Sequence, residues 1–103
     1  MRAFLSTVDV ALCPTVGGPR LALGHLAPHL PMDVLLARTE RLAGFTAIHN
    51  STGAPAMSVP LHWTDDGLPV GCHFAASPGR DADLLRLAYQ LEEAAPWAAR
   101  RPT

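Results

Sequence analysis

The sequence contains no lysine, and all eight of its basic residues are arginine. Nine acidic residues balance them, so the net charge is −1. A lysine general base is therefore excluded from any chemistry that these residues perform. A net charge so close to zero provides no attraction to nucleic acid or to an anionic membrane surface. We expect neither as a partner.

Cysteine is also rare, with Cys13 and Cys72 as the two thiols. Both lie in short apolar runs, and so sparse a pair is not the framework of a secreted disulfide-bonded domain. We expect two buried, reduced cysteines in a cytoplasmic protein. No apolar run approaches the roughly 20 residues of a membrane-spanning helix. The first residues show no apolar stretch followed by a cleavage site, so no signal peptide is predicted.

The 103 residues and their 49% hydrophobic content are typical of one small globular domain, 1–103. Apolar periodicity and the positions of proline and glycine predict the element order β-α-β-β-α. The elements are a strand at 8–13, a Gly/Pro-rich loop at 15–31, a helix ending at 43, strands near 57–61 and 70–74, and a helix beginning at 81.

The character of these elements predicts the fold class. The strand at 8–13 is apolar on both faces, which is typical of a covered strand in a parallel sheet. The next two strands form a predicted hairpin, because Asp66-Gly67 lies between them and their apolar residues alternate. An apolar stripe on the last helix comprises Leu84, Leu87, Ala88, Leu91 and Ala95. The sequence thus predicts an α/β fold with a small mixed sheet and two main helices.

The segment 45–71 carries several linked motifs. It contains F-T-A-I-H-N-S-T-G at 45–53, P-A-M-S-V-P at 55–60 and D-G-L-P-V-G at 66–71. In this order they resemble the C-terminal signature of the amidase signature family. The strand ending in Pro14-Thr15 and the run L-L-R-L-A-Y-Q-L-E at 84–92 resemble other parts of that family's C-terminal region. Almost the whole chain is covered by the resemblance.

Within the family, P-A-M-S-V-P-L-H-W-T at 55–64 and the ending A-A-P-W at 94–97 are most similar to bacterial amidases of the 6-aminohexanoate-cyclic-dimer hydrolase type. The tRNA-dependent amidotransferase branch usually has an aspartate seven residues before the asparagine. Ala43 occupies that position here, which argues against that branch.

The resemblance implies a Ser–Ser–Lys triad on a large mixed α/β sheet, in which the lysine activates the nucleophilic serine. That machinery belongs to a region upstream of the one matched. Here the four serines are not adjacent, no Gly-Gly-Ser-Ser loop occurs and lysine is absent. We therefore expect no catalytic residue, metal or cofactor in this chain and no amide hydrolysis by it alone. We also expect Met1 to be internal to a longer enzyme, whose substrate is a small amide.

Phe45, Ile48 and Asn50 are the candidate substrate-binding residues. Phe45 and Ile48 could line an apolar substrate channel, and Asn50 could border the acyl pocket. The alternative is that the first two pack in the core, while Asn50 satisfies backbone groups at a turn and Gly53 takes a positive φ. That alternative is favoured for Asn50.

The histidines give weaker indications of a site. His25 and His29 are spaced like two metal ligands on a helix, but prolines make their segment a poor helix and no further ligand accompanies them. His62 and His73 could face each other across the hairpin. A nucleophilic pair of Cys72 with His73 is excluded, because sequence neighbours on a strand point to opposite faces.

A second hypothesis is a non-catalytic α/β module that binds a partner or itself. Three strands that are apolar on both faces need cover on both sides, and only two main helices are available. We expect the isolated chain to expose an apolar patch and an unpaired strand edge. The partner would be the N-terminal part of the amidase fold or a second copy, in a dimer or by a swapped element.

Overall fold

A computed structural model describes residues 1–102. Its elements are α1 (Arg2–Leu5), β1 (Ala11–Pro14), α2 (Met32–Ala43), α3 (Ala47–Thr52), β2 (Ala56–Trp63), β3 (Pro69–Ala75) and α4 (Asp81–Ala94). The predicted order β-α-β-β-α is confirmed for the longer elements, and α1 and α3 are two short additional helices. No helix within the described range is both long and apolar enough to cross a membrane.

The three strands form one sheet in the order β1-β3-β2, and both pairings are antiparallel. The predicted α/β fold class is confirmed, but the sheet of the described residues is antiparallel and not mixed. β1 is apolar in composition, yet its residues alternate between half-buried and exposed along an edge of the sheet. Because β1 is an edge strand, Pro14 is tolerated inside it, where the prediction had placed the end of the strand.

One face of the sheet is covered by α4. The buried cluster there consists of Val59 on β2, Phe74 on β3, Ala76 just after β3, and Leu84 on α4. Leu87, Ala88 and Leu91 pack against it, as their helical spacing predicted. Ala95, the last residue of the predicted stripe, follows the helix and is exposed.

The N-terminal segment is held against the far end of the chain. Leu5 is 1% exposed, and its carbonyl oxygen accepts a hydrogen bond from the Ser77 hydroxyl at 2.8 Å. Arg80, just before α4, pairs with the Asp9 carboxylate at 3.1 Å. These contacts bring residues 2–9 beside the start of α4.

The molecule is thin in one direction. Its radius of gyration is 15.7 Å and its extents are 42 × 36 × 15 Å, whereas a compact chain of this length has a radius near 13 Å. α2 contributes no buried residue. The fold is thus a slab with α4 on one side of a small sheet, rather than a sheet enclosed on both sides.

Candidate functional site

The face of the sheet opposite α4 carries a row of polar side chains, here called the polar face. In the strand register His73 lies opposite Cys13 on β1 and opposite Ser58 on β2. Residues directly opposite one another in antiparallel strands project from the same face. Cys13, His73 and Ser58 therefore form one row across all three strands.

The polar face also carries a pair of hydroxyl groups. Thr15 Oγ1 and Ser58 Oγ lie 2.6 Å apart and share a hydrogen bond across the central strand. Gly71 is beneath them, and a Cβ added there would lie 2.5 Å from Thr15 Oγ1 and 2.6 Å from Ser58 Oγ. The absence of a side chain at Gly71 is what allows the two hydroxyls to meet. They border a shallow cleft of about 360 Å³.

Cys13 and His73 share a hydrogen bond, with 3.5 Å between Sγ and Nδ1. Burial raises the pKa of the Cys13 thiol. Burial, followed by the nearby charge of His49, lowers the pKa of His73. Both shifts favour the neutral forms, whereas a cysteine–histidine nucleophile needs a thiolate with a lowered pKa. The pair is suited to fixing the sheet and to hydrogen bonding.

Helix α3 lies over the polar face. The ring of His49 stacks on that of His73, with centroids 4.9 Å apart and an angle of 30° between the planes. Nδ1 of His49 is buried and has no hydrogen-bond partner among residues 1–102. His49 is thus held on a helix and against the central strand. α3 ends at Gly53, whose φ of 66° agrees with the predicted positive value.

The predicted substrate-binding residues lie on this helix or just before it. Phe45 precedes α3 and is 43% exposed, and Ile48 on α3 is 41% exposed. Asn50, also on α3, is exposed. None of the three belongs to the buried cluster under α4. Ile48 and Asn50 flank in sequence His49, whose ring stacks on that of His73.

The other histidines lie elsewhere. His62 pairs with Val70 and not with His73, which lies opposite Ser58. His25 is half-buried, and His29 is exposed. No group of three His, Cys, Asp or Glu side chains within residues 1–102 is arranged to hold a metal ion.

Sequence reasoning missed the row of Cys13, His73 and Ser58. Cys13 and His73 are 60 positions apart, and only the register of β1 against β3 brings them together. A weak signal existed: Cys13 and Thr15 are two residues apart, as are Gly71 and His73, and such pairs share a strand face.

Similarity to known proteins extends over most of the chain. The family model described as Amidase matches residues 1–85. The chain is 47% identical over 95 residues to AmiC of Mycobacterium tuberculosis (strain H37Rv), a protein named as an inferred amidase; the match covers 92% of this chain and 20% of AmiC. It is 37% identical over 100 residues to 6-aminohexanoate-cyclic-dimer hydrolase of Pseudomonas sp. (strain NK87), covering 91% of this chain and 20% of the hydrolase.

A solved structure of 6-aminohexanoate cyclic dimer hydrolase superposes with a TM-score of 0.82 at 32% identity. The match covers 99% of this chain and 23% of that structure. The chain therefore spans about a fifth of the length of the curated relatives it matches. It aligns with the C-terminal part of these proteins.

Proposed function

Because the chain belongs to the amidase family, we propose that it acts as the C-terminal segment of an amidase and supplies part of the scaffold around the substrate. The observation that carries this proposal is the match over nearly all of the chain to only about a fifth of each relative. The nucleophilic serine and its lysine-based activation belong to the remaining part of the enzyme. The chain alone is inactive.

Two structural features support the inactive state. The Cys13–His73 pair is biased toward its neutral forms. Ser58 hydrogen-bonds to Thr15, and among residues 1–102 no histidine hydrogen-bonds to its hydroxyl. A serine nucleophile needs a base within hydrogen-bond reach. The polar face therefore supplies hydrogen-bonding groups without an activated nucleophile.

Two free cysteines, Cys13 and Cys72, agree with a cytoplasmic location.

Activity is tested directly with the purified chain. It is incubated with 6-aminohexanoate cyclic dimer and with a simple aryl amide, and separately with a serine-directed phosphonate. The Pseudomonas hydrolase serves as the positive control. We expect neither product nor covalent label on this chain, and hydrolysis or labelling at any of its four serines would contradict the proposal.

Phe45, Ile48 and Asn50 are proposed to border the substrate of the complete enzyme. Support comes from their exposure near α3, outside the core under α4. The test replaces the matching fifth of the Pseudomonas hydrolase with this chain and compares Phe45→Ala, Ile48→Ala and Asn50→Ala in that chimera. We expect a raised KM with little change in kcat, as for lost substrate binding.

The matched control for this experiment is Leu85→Ala, an exposed apolar residue on α4. It should leave KM unchanged. If all three variants and the control behave alike, the assignment of these residues to the substrate is wrong, while the scaffold role is unaffected.

A second candidate function, a self-associating module, is favoured by the open construction of the sheet. β1 and β2 are both edge strands, and Leu12 on β1 is 65% exposed. Unpaired edges and exposed apolar residues promote pairing with another chain. Light scattering at increasing concentration should show dimers or larger species of the isolated chain. A monomer at every concentration would exclude this function.

A further inference from the structure

A second cleft lies between the loop at 15–31 and α2, apart from the polar face. Its volume is about 470 Å³, within the range of small-molecule sites. The residues that matter for its chemistry are Gly17, Arg20, Leu21, Arg38, Arg41 and Leu42. We call it the arginine cleft, because three of the eight arginines of the chain line it.

The walls of the arginine cleft are held together at two points. The backbone N–H of Gly17 donates to the carbonyl oxygen of Leu42 at 2.9 Å. On the other limb of the loop, Nη1 of Arg38 donates to the carbonyl oxygen of His25 at 2.7 Å. A Cβ at Gly17 would overlap the carbonyl oxygen of Arg41. The loop is thus fastened closely to the last turns of α2, and the cleft is a defined feature of the fold.

The charges around the cleft are mostly positive. Arg20 pairs with the Asp66 carboxylate at 2.7 Å. Arg38 donates to a neutral carbonyl, which leaves its charge uncompensated. Arg41 makes no ion pair within residues 1–102 and lies in the last turn of α2, where a cation is favourable. Arg20 and Arg38 are held at the cleft by these partners, so Arg41 is the lining arginine whose guanidinium group has no partner within residues 1–102.

We propose that the arginine cleft binds a small organic carboxylate with a short apolar body. The planar guanidinium fork matches a carboxylate with two parallel hydrogen bonds. Leu21, Ala37 and Leu42 provide an apolar wall for the body of the ligand. The site uses residues of this chain only.

The experiment titrates the whole chain with hexanoate and follows backbone amide NMR shifts of the loop at 15–31 and of α2. Hexanamide is the neutral probe of the same shape, and inorganic phosphate is the anion without an apolar body. We expect saturable shifts with hexanoate that map to the cleft, and much weaker binding of the other two. Equal binding of hexanamide, or of phosphate, would overturn the proposal.

Variants locate the site. Arg41→Gln removes a charge whose side chain makes no hydrogen bond or ion pair within residues 1–102, so the fold should persist. It should weaken hexanoate binding by about tenfold, the expected effect of losing one charge-assisted hydrogen bond. Arg2→Gln makes the same charge change outside the cleft and should leave the affinity unaltered. If both variants weaken binding equally, the interaction is with net charge and the site does not exist.

Discussion

The two faces of the sheet are built on different principles. The face under α4 is closed by apolar packing, with Val59, Phe74 and Leu84 each less than 9% exposed. The polar face is held by hydrogen bonds, between Cys13 and His73 and between two hydroxyls, and its cover is the short helix α3. α4 covers the first face at β2 and β3, while Leu12 at the β1 edge remains 65% exposed. The second presents polar groups beside the short helix α3.

The largest effect is expected on the packed face. Phe74→Ala should lower the free energy of unfolding by about 3–5 kcal/mol, since it removes a buried aromatic side chain and leaves a cavity. Its cross-strand neighbour Leu12 is 65% exposed, so Leu12→Ala should change stability by less than about 0.5 kcal/mol. Urea unfolding followed by circular dichroism measures both. Similar losses for the two variants would mean that α4 does not seal this face.

On the polar face the tightest point is Gly71. Gly71→Ala places a methyl group against Thr15 and Ser58, and such overpacking should cost about 1–3 kcal/mol of stability. Gly18→Ala is the matched control, because a Cβ there meets nothing within 4 Å. The two variants are compared by the same unfolding experiment. An unchanged midpoint for Gly71→Ala would show that the hydroxyl pair is not fixed over the strand.

A smaller effect is expected for the hydroxyl pair itself. Ser58→Ala removes one partner of the hydrogen bond to Thr15 and should destabilise the chain by about 0.5–1.5 kcal/mol. Ser51→Ala, an exposed serine on α3, should be neutral. Equal unfolding free energies of the two serine variants would contradict a stabilising role of the Ser58–Thr15 hydrogen bond.

The smallest effect is a dependence on pH. The folded-state pKa of His73 is below its ordinary value of 6.5, so the unfolded chain binds more protons in the window just below pH 6.5. Stability should therefore fall as the pH decreases through that window. Unfolding between pH 7.5 and 5 measures the slope. This range lies above the region where the carboxylates of Asp66 and Asp83, whose pKa values are lowered from 3.8, lose their charge.

Two variants separate His73 from the other histidines. His73→Gln should flatten the slope, since the buried titrating group is gone. His62→Gln, at an exposed position on β2, should retain it. If the slope survives in His73→Gln and disappears in His62→Gln, the pH dependence comes from His62, and its assignment to His73 is wrong.

The packed face was largely predictable from the sequence, because its signals are local. Away from this face, the ends of α2 have equally local signals, since Pro31 and Gly44 flank the helix, which spans Met32–Ala43. The spacing of Leu84, Leu87 and Leu91 predicted the buried side of α4. Asp66-Gly67 predicted the hairpin turn, where Gly67 has φ of 78°. In each case a few adjacent residues carry the information.

The polar face was not predictable in the same way, because it depends on contacts between distant segments. The pairing of Cys13 with His73 requires the register of β1, which no local pattern specifies. The apolar run at 8–13 suggested a parallel strand, since composition alone does not distinguish a covered strand from a half-exposed edge. α3 was missed because Asn50, Ser51 and Thr52 have low helix propensity.

The pairing of β1 with the last strand also determines the order in which the structure can form. The bonds from Leu5 to Ser77, Asp9 to Arg80 and Cys13 to His73 join residues 72, 71 and 60 positions apart. The β2–β3 hairpin and α4 are contiguous, and such local contacts form faster than distant ones. β1 precedes its partner strand by some sixty residues along the chain. Its pairing with β3 is therefore expected to be the last step in forming this sheet.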